Sequence, residues 1–227
     1  MIKNTNNKFL KYLLTGLFIV LFSTQFKPVK AQEITAGADL YSTYVWRGVA
    51  YSGPSIQPYV ELSSGGFAIG AWGSQGYDGF QEMDLYAGYS FDFGLSLGIT
   101  DYYYPGTMYF DNGAHAFELN GGYGVGDLSL SANYIFAGDG SAGDDVYFEL
   151  GYSAGAADLF IGAGDGWHSA AGPTPTDPDN DEFTVVNIGV GTSKDIQVTE
   201  SLTIPLSGSV ILNPDTEQLY IVVGLSL

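Results

Sequence analysis

Cysteine is absent from this chain, and its seven lysines and arginines and two histidines stand against 25 aspartates and glutamates. Each shortage removes a class of function. Without cysteine there is no disulfide framework and no lipoprotein anchor. Nucleic-acid binding needs a basic footprint, and a formal charge of −18 supplies none. Long apolar runs are missing too. The longest, Tyr12 to Phe22, has about 11 residues, well short of the roughly 20 that a membrane-crossing helix requires.

That short run has another use. Lys3, Lys8 and Lys11 form a basic n-region, Tyr12 to Phe22 an apolar core, and Val29-Lys30-Ala31 a cleavage site with small residues at −3 and −1. This is the layout of a secretory signal peptide. Residues 1–31 are therefore expected to be removed, leaving 32–227 as one mature domain. Five lysines and no acidic residue leave with the leader, so the net charge moves from −18 to −23 and only Arg47 and Lys194 remain basic.

What the chain has in quantity is 17 tyrosines, 14 phenylalanines and 32 glycines, a composition that argues against a solvating disordered tail and fits short barrel strands. The arrangement agrees. In Ala38 to Gly48, Ala38, Leu40, Tyr44 and Trp46 alternate with Asp39, Tyr41, Thr43 and Arg47. Met83, Leu85, Ala87, Tyr89 and Phe91 alternate with Glu82, Asp84, Tyr86, Gly88 and Ser90. A period of two with one apolar phase is the signature of a transmembrane β-strand, apolar to lipid and polar to the lumen.

Twelve such strands are expected, the first from Ile34 to Gly48 and the last from Gln218 to Leu227. Their connections alternate between longer and short, the asymmetry of bacterial barrels. The expectation is an all-β, antiparallel transmembrane barrel of about 12 strands with both termini in the periplasm. It would sit in the outer membrane of a Gram-negative-type envelope after signal-dependent export. Its partners would be outer-membrane lipid, small hydrophilic solutes or cations, and the barrel-assembly and periplasmic chaperone machinery. No cofactor is implied.

Particular motifs point the same way. Tyr44-Val45-Trp46-Arg47-Gly48 is followed by Gly66-Phe67-Ala68-Ile69-Gly70-Ala71-Trp72-Gly73-Ser74, then by Asp84-Leu85-Tyr86-Ala87-Gly88-Tyr89. Tyr103-Tyr104-Pro105-Gly106 and Phe117-Glu118-Leu119 come next. As an ordered set over most of the mature chain, these resemble the TorF-type porins. The resemblance implies a small outer-membrane barrel, named a porin mainly by analogy.

Six carboxylates fall on the polar phase: Asp39, Glu61, Glu82, Asp84, Glu118 and Glu149. Lining a wet lumen, they would attract cations and repel anions. They could equally solvate the interior or pair with tyrosine hydroxyls. Arg47 is the one cation expected among them, as a bridge between strands or as a clamp for an anionic solute. Trp46, Trp72, Trp167, Tyr51, Tyr102 to Tyr104 and Tyr109 lie near expected strand ends, where aromatics form interfacial girdles. A stacking platform for sugars is the sharper alternative.

Asp177 to Glu182 carries acids at the first three odd positions of a calcium loop but lacks the glycine at the sixth. His168 and Ser169 would point to opposite faces of a strand, and no G-x-S-x-G elbow occurs. The residues thus point to a porin-like channel for passive diffusion, cation-leaning and without catalysis. A non-conducting barrel whose acidic loops bind a partner or ions is the second reading, and an outer-membrane lipid-modifying enzyme the third.

Overall fold

The computed structural model describes residues 32–106, 108–138, 144–169, 182–200 and 202–227. The leader expected over 1–31, most of the loop expected over 167–182 and the acidic run Asp177 to Asp181 lie outside the described residues. The described chain is all antiparallel strand, with 3-10 turns at Asn112–Ala114 and Gly166–His168.

Twelve strands close into a barrel. They are β1 (Glu33–Tyr41), β4 (Ser55–Ser64), β5 (Phe67–Gly76), β6 (Gln81–Ser90), β7 (Leu95–Tyr103), β8 (His115–Val125), β9 (Leu128–Ala137), β10 (Val146–Ala154), β11 (Ala157–Gly164), β12 (Thr184–Gln197), β13 (Thr203–Asn213) and β14 (Gln218–Ser226). Each pairs with its neighbour in sequence, and β1 closes on β14. That seam is short: Asp39, Leu40 and Tyr41 pair with Ser226, Leu225 and Gly224. Reciprocal backbone bonds between Ala38 and Leu227, of 3.2 and 3.0 Å, extend it by one step, and Ser42 N–H donates to the Val223 carbonyl at 2.9 Å.

Alternation decides what faces out. Ile56, Val60 and Leu62 of β4, Met83 and Leu85 of β6, Phe148 and Leu150 of β10, and Ile221, Val223 and Leu225 of β14 are all exposed. Their polar neighbours in the same strands turn inward, which is the inverse of a soluble fold. Inward tyrosines and phenylalanines take the space that glycines vacate on adjacent strands. Tyr59 covers Gly37, Tyr86 covers Gly70, Tyr147 covers Gly162 and Phe160 covers Gly189. A methyl group at any of these glycines would meet the ring above it.

Both register shifts of the barrel wall lie toward the end that carries the longer connections. On β8–β9 the shift falls between Phe117 and Glu118, and on β11–β12 between Gly162 and Ala163. The first leaves Phe136 of β9 as the extra residue of a bulge. Ile135, paired with Glu118 just before it, continues the inward phase of β9 and packs with Tyr102 and Ala116, against which Trp46, Tyr104 and Trp167 lie.

The first strand departs from expectation. β1 ends at Tyr41, not at Gly48. Tyr44–Trp46 (β2) and Val49–Ser52 (β3) instead pair with each other as a separate two-stranded hairpin. At its tip Arg47 and Gly48 both have positive φ, +49° and +81°, the requirement of a two-residue turn whose twist matches the flanking strands. The barrel count of twelve is as expected, with this hairpin in addition.

Candidate functional site

The hairpin lies within the barrel, because its tip touches strands on different sides of the wall. The Arg47 guanidinium donates to both oxygens of Glu118 on β8, at 2.6 and 3.0 Å. The Gly48 carbonyl accepts from Asn213 Nδ2 on β13 at 3.1 Å. A Cβ at Gly48 would collide with the Val186 carbonyl of β12, so glycine is needed here for space as well as for its positive φ. Arg47 is thus not on the inner face of a wall strand. It is carried across the lumen at the end of a turn.

Around Arg47 the packing is close. Its Cζ lies 4.3 Å from the Trp46 ring centroid and 4.6 Å from that of Tyr147, so the cation is held between two aromatic faces. Glu118 is 0% exposed. Besides Arg47 it accepts from Tyr102 Oη at 2.8 Å and from Asn120 Nδ2 at 2.6 Å. A carboxylate taken out of water needs that many partners. His168 Nε2 lies 3.4 Å from Arg47 Nη1, and its ring sits 5.3 Å from that of Trp46. Burial, and then the charge of Arg47, push the His168 imidazole down from 6.5 to about 3.

The other expected carboxylates divide by depth and partner. Glu82 and Asp84 are buried on neighbouring inward positions of β6, at 3% and 7% exposed. Tyr104 Oη donates to Glu82 Oε1 at 3.3 Å, while Glu82 Oε2 and Asp84 Oδ1 have no hydrogen-bond partner. Glu61 is half-buried and accepts from Tyr86 Oη at 3.0 Å. Glu149, also half-buried, accepts from Tyr147 Oη at 2.5 Å and Asn187 Nδ2 at 2.9 Å. Asp39 is half-buried on β1, opposite Gln57. The arginine bridge thus reaches one of the six, Glu118.

The girdle expected of the aromatics does not form as a set. Trp46, Tyr51, Trp72, Tyr102 and Tyr104 instead belong to a ring cluster on the inner side, joined through Tyr44 and Phe80 at centroid distances of 5.5 to 6.2 Å. The inward hairpin supplies the rings that draw the others together. Tyr103 and Tyr109 remain outside, packed on His115 at 5.1 and 5.0 Å. His115 Nδ1 bonds Asp101 Oδ1 at 2.7 Å, so the two histidines lie on opposite sides of the wall. Among the described residues there is no group of three or more histidine and acidic side chains placed to hold a metal ion.

Residues 26–203 match a family described as bacterial proteins of unknown function, Gcw_chp. The chain belongs to this family. A comparison with curated proteins returns no match. Among solved structures, one described as "Asymmetric conductivity of engineered proteins" is similar at 18% identity and a TM-score of 0.42, over 81% of this chain and 63% of the other. A mutant of the Rh. blastica porin is similar at 19% identity and a TM-score of 0.41, over 76% and 55%. A triple mutant of the Rhodopseudomonas blastica porin gives 17% identity and 0.44, over 87% and 73%. This Gcw_chp family member therefore spans less than two thirds of the length of the first two of these chains. Likeness at that distance transfers no function.

Proposed function

We propose that this protein is an outer-membrane channel for the passive diffusion of small hydrophilic solutes, narrowed by its inward hairpin and favouring cations. The carrying observation is the closed barrel whose exposed face is apolar and whose inner face holds the six expected carboxylates, with one arginine brought among them by the hairpin. A continuous apolar exterior is costly in water and is satisfied by lipid. The expected leader and the ordered likeness to TorF-type porins support export to a Gram-negative-type outer membrane, with the short turns and both termini periplasmic. Asp39, Glu61, Glu82, Asp84 and Glu149 would bias the lumen toward cations. Arg47 and Glu118 would instead set its width, since each is committed to the other.

The same ion pair also favours a second reading. A hairpin held on three strands could close the lumen, and the barrel would then act through its longer loops. Twelve strands lie between barrels filled by side chains and those with wide channels, so conductance decides between the two. Refolded protein in a planar bilayer under a KCl gradient should give small discrete steps with a cation-selective reversal potential. Asp84→Asn with Glu82→Gln should lower that selectivity. Folded protein that gives no steps at any salt concentration would end the channel reading in favour of the closed barrel.

A further inference from the structure

Between the hairpin and the wall formed by β4 to β7 lies a cavity of about 360 Å³. Its walls are mostly rings: Tyr44 and Trp46 from the hairpin, Tyr59, Trp72, Tyr86 and Tyr102 from the barrel. Tyr44 and Trp72 have centroids 5.6 Å apart, and Trp46 and Tyr102 are at 5.5 Å. One acidic side chain opens into this cavity, that of Asp84. It is 7% exposed, and its Oδ1 has no hydrogen-bond partner.

The acids here have no basic partner. Glu82, two positions away on the same face of β6, is also buried with one oxygen unpartnered. The nearby cation, Arg47, gives both terminal nitrogens to Glu118. Lys194 is on β12, exposed and paired in register with Leu206. Two buried acids, one of them lining a cavity with six aromatic rings, therefore have no ion-pair partner in Arg47 or Lys194, the arginine and lysine among the described residues. Isolated buried carboxylates are costly, and a bound cation relieves the cost.

The walls determine which cation. A hard metal ion takes six or more oxygen ligands, and the described residues offer no such group. Aromatic faces carry the negative part of the ring quadrupole and attract diffuse organic cations, ammonium centres in particular. The volume falls at the small end of ligand pockets. We propose that this cavity binds a small organic ammonium ion, with its charge on Asp84 and its carbon atoms against Tyr44, Trp46, Trp72 and Tyr102. The site goes beyond the channel reading and does not require conduction.

Choline is a suitable probe, with its uncharged carbon isostere dimethylbutanol as the shape control. Titrated into the refolded chain in detergent micelles, choline should change the fluorescence of Trp46 and Trp72 along a saturable curve, and dimethylbutanol should not. Asp84→Asn should weaken the apparent affinity by roughly tenfold, and Trp72→Leu by a similar factor. Circular dichroism confirms that each variant is folded. If Asp84→Asn fails to fold, Trp72→Leu decides.

Equal responses to choline and dimethylbutanol would overturn the proposal, as would unchanged affinity in a folded Asp84→Asn barrel. Protein that binds choline but does not conduct would end the channel reading and leave this one standing. Protein that conducts without saturable binding would do the reverse.

Discussion

The two ends of this lumen are built by the same strands with the same alternation, yet one is packed like a protein core and the other is lined mostly by glycine and serine. At the end with the longer connections, Tyr102, Ala116, Ile135, Tyr147, Val186 and His168 are buried, and the hairpin fills the space between them. Toward the short turns many inward positions are small, Ser96 and Gly98 on β7, Gly122 on β8, Ser131 on β9, Gly151 on β10 and Ser207 on β13, with Phe160 of β11 the larger side chain beside Gly151. Barrel geometry fixes the diameter. Whether that diameter is open is decided by side-chain volume and by what a loop inserts.

This contrast predicts where the protein is sensitive, and the largest effect belongs to the ion pair. Removing one partner of a buried pair leaves an uncompensated charge and costs about 3–5 kcal/mol. Arg47→Met strands Glu118 in this way, its side chain being fully buried and that of Arg47 only 12% exposed. The variant should denature at lower guanidinium concentration and should give larger conductance steps as the hairpin leaves its seat. Adding Glu118→Gln removes the stranded charge, so the double variant should recover part of the lost stability. A double variant no more stable than Arg47→Met alone would mean that the pair does not hold the hairpin.

A smaller effect, again confined to the packed end, follows from acid. The His168 imidazole is held neutral, its value pushed down from 6.5 to about 3 by burial and by Arg47. The unfolded or opened segment takes up a proton below about 6.5, while the packed segment does not until near 3. Stability from this group is therefore complete above pH 6.5 and is lost as pH falls from there toward 3. Trp46, whose ring is 5.3 Å from that of His168, reports on the segment. Its fluorescence should change progressively between pH 6.5 and 4 in the native protein, and less in His168→Gln. Identical profiles would assign the transition to carboxylates elsewhere.

The exterior and the packed end were not equally legible in the sequence. The outward faces of β4, β6, β10 and β14 could be read because a strand's period is two and one phase was consistently apolar. The twelve wall strands followed from that pattern and from the turn spacing. The hairpin could not be read by the same rule. Tyr44, Val45, Trp46, Arg47 and Gly48 continue the alternation of β1, and a strand that turns inward has the same period as one that continues upward. Length did carry a warning: Ile34 to Gly48 is longer than the 9 to 11 residues a tilted strand needs to cross. Gly48, followed by Val49-Ala50-Tyr51, was a turn signal of moderate strength. The Arg47–Glu118 pair joins residues 71 positions apart, and no local pattern encodes a contact of that span. The partnerless oxygens of Glu82 and Asp84 were hidden for the same reason, since both depend on what the hairpin covers.

The smallest effect is expected at the other end, and it tests whether the contrast is real. Ser207 on β13 pairs with Ser193 and Gly224 on its neighbours and is half-buried. Its hydroxyl is not among the buried polar atoms that lack a partner, which fits a group that water can reach. Ser207→Ala should therefore shift stability by no more than about 0.5 kcal/mol, the range of substitutions that disturb neither packing nor a buried polar network. Guanidinium denaturation of the refolded chain measures this directly. A loss several times larger would mean that the Gly- and Ser-lined half is also tightly packed. The lumen would then be filled along its whole length, and the width set by Arg47 and Glu118 would no longer be its narrowest point.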